Sequence, residues 1–207
     1  GGRLASARGA TGEDAYQVDY TVGTGNDTRH ERLAALNTTD YYADWQGRDA
    51  AMQSYTSAPL EAAARMSGHP VVDLSIASSE GDAVIHVYLS EVEADGTVRY
   101  VTEGVLRALH RHEMPAPADQ DWSWPYRDFS RASAAPMVPG KPARMRFALL
   151  PTSWTFGAGS RIRLSIAGAD CDHYVQLPHG RPPLLTIVRG GTGGSLVELP
   201  MTASQPR

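Results

Sequence analysis

Several short stretches of this 207-residue sequence carry side chains that could do chemistry, and in each a plainer role is favoured. A nucleophilic serine on a strained strand-to-helix elbow sits in Gly-x-Ser-x-Gly, where small neighbours permit the tight turn. Gly157-Ala158-Gly159-Ser160 and Gly193-Gly194-Ser195 come nearest to it, lack the spacing, and read as hairpin turns. Asp170, Cys171, Asp172, His173 and His179 offer the carboxylate, thiolate and imidazole groups of a zinc or calcium site. Structural zinc favours paired spacings such as Cys-x-x-Cys, so one cysteine among scattered acids reads as a polar loop, with calcium a better fit than zinc. His110, Arg111, His112 and Glu113 could do general acid–base work and read as a solvated strand end. Trp122, Trp124, Tyr126 and Trp154 present flat rings that would stack on a sugar face or cover a neighbouring domain, and the packing reading is preferred.

The elements that must position these residues are strands. Period-2 alternation puts every second side chain on one face of a sheet and recurs along the chain. Tyr16, Val18, Tyr20 and Val22 mark a first strand that ends in the turn formers Gly23 to Asp27. A long connection follows from Thr28 to Gly47, with a short helix expected at Glu31 to Leu36. Glu61 to Met66 has helical propensity but spans only about two turns, so sheet packing is expected to override it.

Val72, Leu74 and Ile76 mark the next strand, and Ala83, Ile85, Val87 and Leu89 form an apolar face opposite Val84, His86, Tyr88 and Ser90. Asp95-Gly96 is a hairpin signal, with Thr97 to Thr102 as the partner strand, continuing to His110 across a bulge at Gly104. From Met114 to Pro142, repeated prolines among Trp122, Trp124, Tyr126 and Phe129 predict an extended surface excursion. Met145, Phe147 and Leu149 form a strand expected to neighbour Ile162, Leu164 and Ile166, and Leu184 to Val188 pairs with Ser195 to Leu199. Nine or ten short strands separated by turns predict an all-β sandwich or jelly roll.

Hydrophobic residues at 42% and charged residues at 20% fit one folded domain over 1–207. A net charge of −4 and a pI near 6.0, with no basic stripe, exclude a nucleic-acid module. No apolar run could cross a bilayer, so no membrane partner is expected. A lone cysteine rules out an internal disulfide framework and leaves the compartment open, with a reducing, cytoplasmic one slightly favoured. Gly1-Gly2-Arg3-Leu4 has no initiator Met and no signal segment, so the chain is expected to begin inside a longer polypeptide.

Several motifs, in order, carry a resemblance. They are Ser57-Ala58-Pro59-Leu60, Gly68-His69-Pro70-Val71-Val72, Asp82 with Asp95-Gly96, and Glu103-Gly104-Val105-Leu106-Arg107. Pro151 to Phe156, Gly159 to Leu164 and Leu196 to Pro200 continue the set. Over Ser57 to Met201 the chain resembles the C-terminal domain of the Xaa-Pro dipeptidyl-peptidase and cocaine-esterase-like serine hydrolases. The resemblance implies a galactose-binding-like jelly roll beside an α/β-hydrolase domain of the same chain, which holds the catalytic Ser, Asp and His upstream of Gly1. Residues 1–56 would then be the link and first strands, and 57–201 the domain core. The family's second acid after Asp82 is replaced by Val84, and its Ser-Ser-Asn-Phe-Pro stretch by Gly168 to Tyr174. That stretch tends to approach the catalytic domain, so Trp154, Asp170, His173 and Tyr174 are the expected interdomain or cleft contacts.

The leading expectation is therefore a non-catalytic accessory domain that shapes a cleft and needs no metal or cofactor, in a parent whose oligomeric state is open. A stand-alone carbohydrate-binding module would instead bind sugar through Trp122 or Trp154. An independent metal enzyme would use the Asp170 to His179 loop.

Overall fold

Residues 2–25, 45, 47–119 and 123–202 are described by the computed structural model. The alternating segments become β1 (Gly2–Arg3), β2 (Gly12–Gln17), β3 (Gln53–Thr56), β4 (Ala64–Gly68), β5 (Val71–Ser78), β6 (Val84–Val92) and β7 (Val98–Arg107). After the excursion come β8 (Ala143–Ala148), β9 (Thr152–Phe156), β10 (Arg161–Ala167), β11 (Leu184–Arg189), β12 (Leu196–Glu198) and β13 (Met201–Thr202). One sheet has the order β1-β3-β10-β6-β7; a second joins β12, β5, β11 and β2, with β8 also paired to β5; β13-β4-β9 form a small third sheet.

The first two sheets meet in one core, which makes the fold a sandwich. Ile85, Val87, Leu89, Ile162, Leu164 and Ile166 from one pack with Val72, Leu74, Ile76, Met145, Phe147, Leu185 and Ile187 from the other. Asp95-Gly96 does close the β6–β7 hairpin, with the Glu93 N–H donating to the Thr97 carbonyl at 2.8 Å. The excursion from 114 to 142 forms no strand among its described residues beyond a bridge between Met114 and Tyr126.

Several expectations are corrected. The first strand starts earlier and stops at Gln17, because Asp19 Oδ1 accepts from both the backbone and the hydroxyl of Thr21 and turns the chain. The expected helix at Glu31 to Leu36 lies outside the described residues. Glu61 to Met66 becomes extended only from Ala64, where β4 pairs with β9. The bulge falls opposite Leu89 and Ser90, whose partners are Thr102 and Tyr100, so Val101 is the extra residue. Gly104 answers a different need: a Cβ there would lie 2.9 Å from the Ala148 carbonyl oxygen and 2.8 Å from Leu149 Cδ2. β7 ends at Arg107, and Ala108–His110 form a 3-10 turn.

β8 and the Ile162 to Ile166 strand are not neighbours. β8 pairs with β5, while β10 lies between β3 and β6 in the opposite sheet, so the two meet only across the core. Nor do β11 and β12 form a hairpin. Both are antiparallel to β5, at Ser75–Ser78 and Val71–Asp73, so they lie end to end along one edge. The chain loops out between them at Gly190 and Gly191, with φ of 67° and 57°, and Ser195 Oγ fills the gap in the ladder by accepting from the Ser75 N–H at 3.0 Å.

Tyr55 ties the sandwich edge to Asp14, donating its hydroxyl to Oδ2 at 2.9 Å, and Asp14 also pairs with Arg189 at 3.1 Å. Burial first, then the Asp14 carboxylate, raises the phenol pKa well above its ordinary value, and burial also raises that of Tyr16. A raised folded-state pKa contributes stability that is complete below the unfolded value of about 10 and is lost as pH climbs past it. Urea midpoints are therefore expected to fall between about pH 10 and 12. The decline should be shallower in Tyr55→Phe, and equal slopes in the two proteins would contradict the linkage.

Candidate functional site

A concavity forms where the sandwich opens along the edges of β7 and β8. Its volume is about 400 Å³. His86 and Tyr88 of β6 and Glu103 to Leu106 of β7 form one wall, and Phe147 to Pro151 form the other. Trp124 to Arg127 and Phe129, from the excursion, and Tyr174 close over them. The excursion can do this because turns beside the sheets hold it: Ala135 N–H donates to Leu109 O and Met137 N–H to Gly81 O. Arg111 adds bonds to the carbonyls of Ala135 and Pro136. His69 stacks on Trp124 with centroids 4.1 Å apart, and Tyr174 meets His86 edge-on at 4.8 Å.

The structure sets Trp154 apart from the other three expected contact residues, which share one turn. Trp154 is half-buried and donates its indole N–H to Glu91 Oε2 at 2.8 Å, near the end of β6. Tyr174 packs near the start of that strand and lines the cavity. Asp170 is only 1% exposed: Oδ2 accepts from the Thr24 hydroxyl at 2.8 Å and from the Tyr88 hydroxyl at 3.4 Å, so its carboxylate is used inside the domain. His173 Nε2 lies 2.6 Å from the Gly25 carbonyl, and Asp172 accepts from the Gly25 N–H at 2.8 Å. The Asp170 to Tyr174 turn thus clasps residues 22–25.

The donors of the imagined metal loop are taken up by the chain itself or face solvent. Asp170, Asp172 and His173 bind the 24–25 backbone or Thr24, Cys171 Sγ reaches the Thr21 carbonyl, and His179 is exposed. Among the described residues no three His, Cys, Asp or Glu side chains converge as a metal site. His112 and Glu113 are exposed, while His110 turns to Phe129 at 5.6 Å, so that cluster makes no joint site. Ser160 is buried in its turn and Ser195 is part of the ladder; neither has a histidine partner among the described residues. Trp122 lies outside the described residues.

Sequence reasoning passed over Arg127, which is 7% exposed. Its Nη2 donates to the carbonyls of Arg111, at 2.9 Å, and Arg146, while its buried Nε has no acceptor. Burial lowers its pKa, with the nearby Glu113 charge opposing that shift. The only hint in the sequence is one arginine set among Trp124, Pro125, Tyr126 and Phe129. Among the described residues no helix is long and apolar enough to cross a membrane.

The described residues thus define a β-sandwich protein with an aromatic-lined cavity at the open edge of its two sheets. Residues 12–187 match the model of the X-Pro dipeptidyl-peptidase C-terminal non-catalytic domain, and the chain belongs to that family. It is 42% identical over 191 residues to proteins of Mycobacterium bovis and Mycobacterium tuberculosis that carry the name of serine esterases. That match covers 92% of this chain and 30% of theirs, so the chain spans about a third of the length of these relatives. In fold it is similar to a CocE/NonD family hydrolase from Staphylococcus aureus, with a TM-score of 0.67 and 12% identity over 95% of this chain and 34% of that one. An aminopeptidase from a marine sediment Thaumarchaeota archaeon gives a TM-score of 0.67 at 20% identity, covering 95% and 34%. An α-amino acid ester hydrolase gives 0.62 at 17%, covering 92% and 33%.

Proposed function

We propose that this chain is the C-terminal accessory domain of a larger serine hydrolase, a single galactose-binding-like jelly roll over 1–207. It packs on an α/β-hydrolase part of the same polypeptide, supplies no catalytic group and no cofactor, and walls one side of the active-site cleft. The observation that carries this reading is the coverage: a 42% identical relative named as a serine esterase is matched over only 30% of its length. The remainder has room for a nucleophile, its base and their scaffold. The parent then hydrolyses an ester, or removes Xaa-Pro dipeptides. His173 and Tyr174 act as contacts beside the cavity, Trp154 as a contact at the far end of β6, and Asp170 as the residue that holds their turn.

A fluorophosphonate probe tests this. In the intact parent the label is expected on one serine upstream of this chain, and the 207-residue chain alone should neither take the label nor turn over chromogenic esters or Xaa-Pro amides. Stoichiometric labelling within 1–207 would overturn the reading. The second reading, a carbohydrate-binding module, is favoured by the ring-lined cavity, because aromatic faces stack on apolar sugar faces. It requires sugar binding by calorimetry that is lost on Trp124→Ala.

A further inference from the structure

Two features of the cavity rim are not completed by the domain itself. The first is the Arg127 guanidinium. One of its nitrogens serves two carbonyls, Nε has no acceptor, and no carboxylate pairs with it among the described residues. Glu113, whose charge reaches it, pairs at 3.5 Å with Arg146, and Arg111 is engaged by backbone carbonyls. A buried cation without an anion is costly, and the guanidinium fork is shaped for a carboxylate.

The second is Phe129, the one non-glycine residue at positive φ among the described residues, at 51°, and 62% exposed. A left-handed backbone at a bulky residue is strained, and such strain gathers at functional surfaces. It is held in place by Asp128, whose Oδ1 accepts from the Ser130 N–H at 3.0 Å and the Ser133 hydroxyl at 2.6 Å. Val105 and Leu150, 40% and 47% exposed, line the same cavity. Strain that holds an apolar ring in water makes sense when a partner covers the ring.

We propose that this rim is the socket for the catalytic part of the parent polypeptide, which covers Phe129, Val105 and Leu150 and places a carboxylate on Arg127. The inference rests on the accessory-domain reading above. The relatives' length argues for this occupant, since about two thirds of their polypeptide lies outside the matched region. Charge argues for its chemistry, because no described carboxylate pairs with the Arg127 cation and an apolar ligand would leave it so.

Hydroxyl-radical footprinting of the intact parent tests the assignment, with urea-unfolded parent as the reference. Phe129 and Leu150 are expected to be protected about fivefold or more, as buried interface residues are. Arg127→Gln should raise their labelling by about threefold, and Arg127→Lys should not restore protection, because one ammonium cannot replace a planar fork. Phe129→Ser, at an exposed residue outside both core clusters, should unprotect Leu150 while leaving Trp154 unchanged. Exposure of the rim with protection elsewhere on this chain overturns the socket and leaves the accessory reading standing; a chain with no protected face overturns both. Protection that appears only on adding a sugar or a small carboxylate also overturns the socket.

Discussion

Trp45→Ala is expected to destabilise the domain by about 3–5 kcal/mol, the usual range for deleting a buried tryptophan. Trp45 is 1% exposed and anchors a second apolar cluster on the outer face of β6 and β7, with Met52, Tyr88, Val92, Val98, Tyr100 and Ala167. Its ring centroid lies 5.0 Å from Tyr88 and 5.9 Å from Tyr100. The loss should therefore combine apolar transfer, a residual cavity and two ring contacts. Chemical denaturation of wild type and variant measures it, and Trp45→Phe should recover part of the loss. A change below about 1 kcal/mol would mean that the cluster collapses around the gap, since the cost depends on how far a site can relax. The effect should also reach the cavity, because Tyr88 belongs to the cluster and to the cavity wall.

Trp45 also marks where sequence reasoning stops. Alternation located β5, β6, β7 and β11 because it is a local property, set by which face of a strand is buried. It assigned β6 one apolar face, yet all nine of its residues are buried, since Trp45 and its neighbours cover the other side. Val84, Tyr88 and Val92 on the supposed polar face were the available signal. Pairing between distant strands is not local: alternation alone sets β8 beside β10 and closes β11 and β12 into a hairpin, whereas β8, β11 and β12 all pair with β5. The cavity was legible only in parts. Trp124, Tyr126 and Tyr174 stood out as rings, but their convergence with His86, Glu103 and Arg127 depends on the excursion crossing the sheet edges. The family, by contrast, was legible because ordered short motifs survive where pairing cannot be read.

Asp170→Ala should cost about 2–4 kcal/mol, because it deletes a buried charged acceptor and leaves its donors unsatisfied. The Thr24 N–H at 3.3 Å, the Thr24 hydroxyl and the Tyr88 hydroxyl all point to this carboxylate. Asp170→Asn keeps one acceptor oxygen and is expected to lose roughly half as much. The two variants should also differ from wild type at Cys171. Its pKa is raised first by burial and then by the charges of Asp172 and Asp170, so removing one charge lowers it and increases the thiolate fraction at neutral pH. Reaction of Cys171 with a disulfide reagent at pH 7 should accelerate in Asp170→Asn while the far-ultraviolet spectrum stays that of the wild type. An unchanged rate would mean that the Asp170 charge is neutralised locally and does not reach the thiol. Loss of stability in Asp170→Ala with intact strands would place Asp170 as the fastening of the turn that carries His173 and Tyr174. Its effect on docking to the parent would then follow from the position of those two side chains, since a carboxylate 1% exposed cannot itself touch a partner.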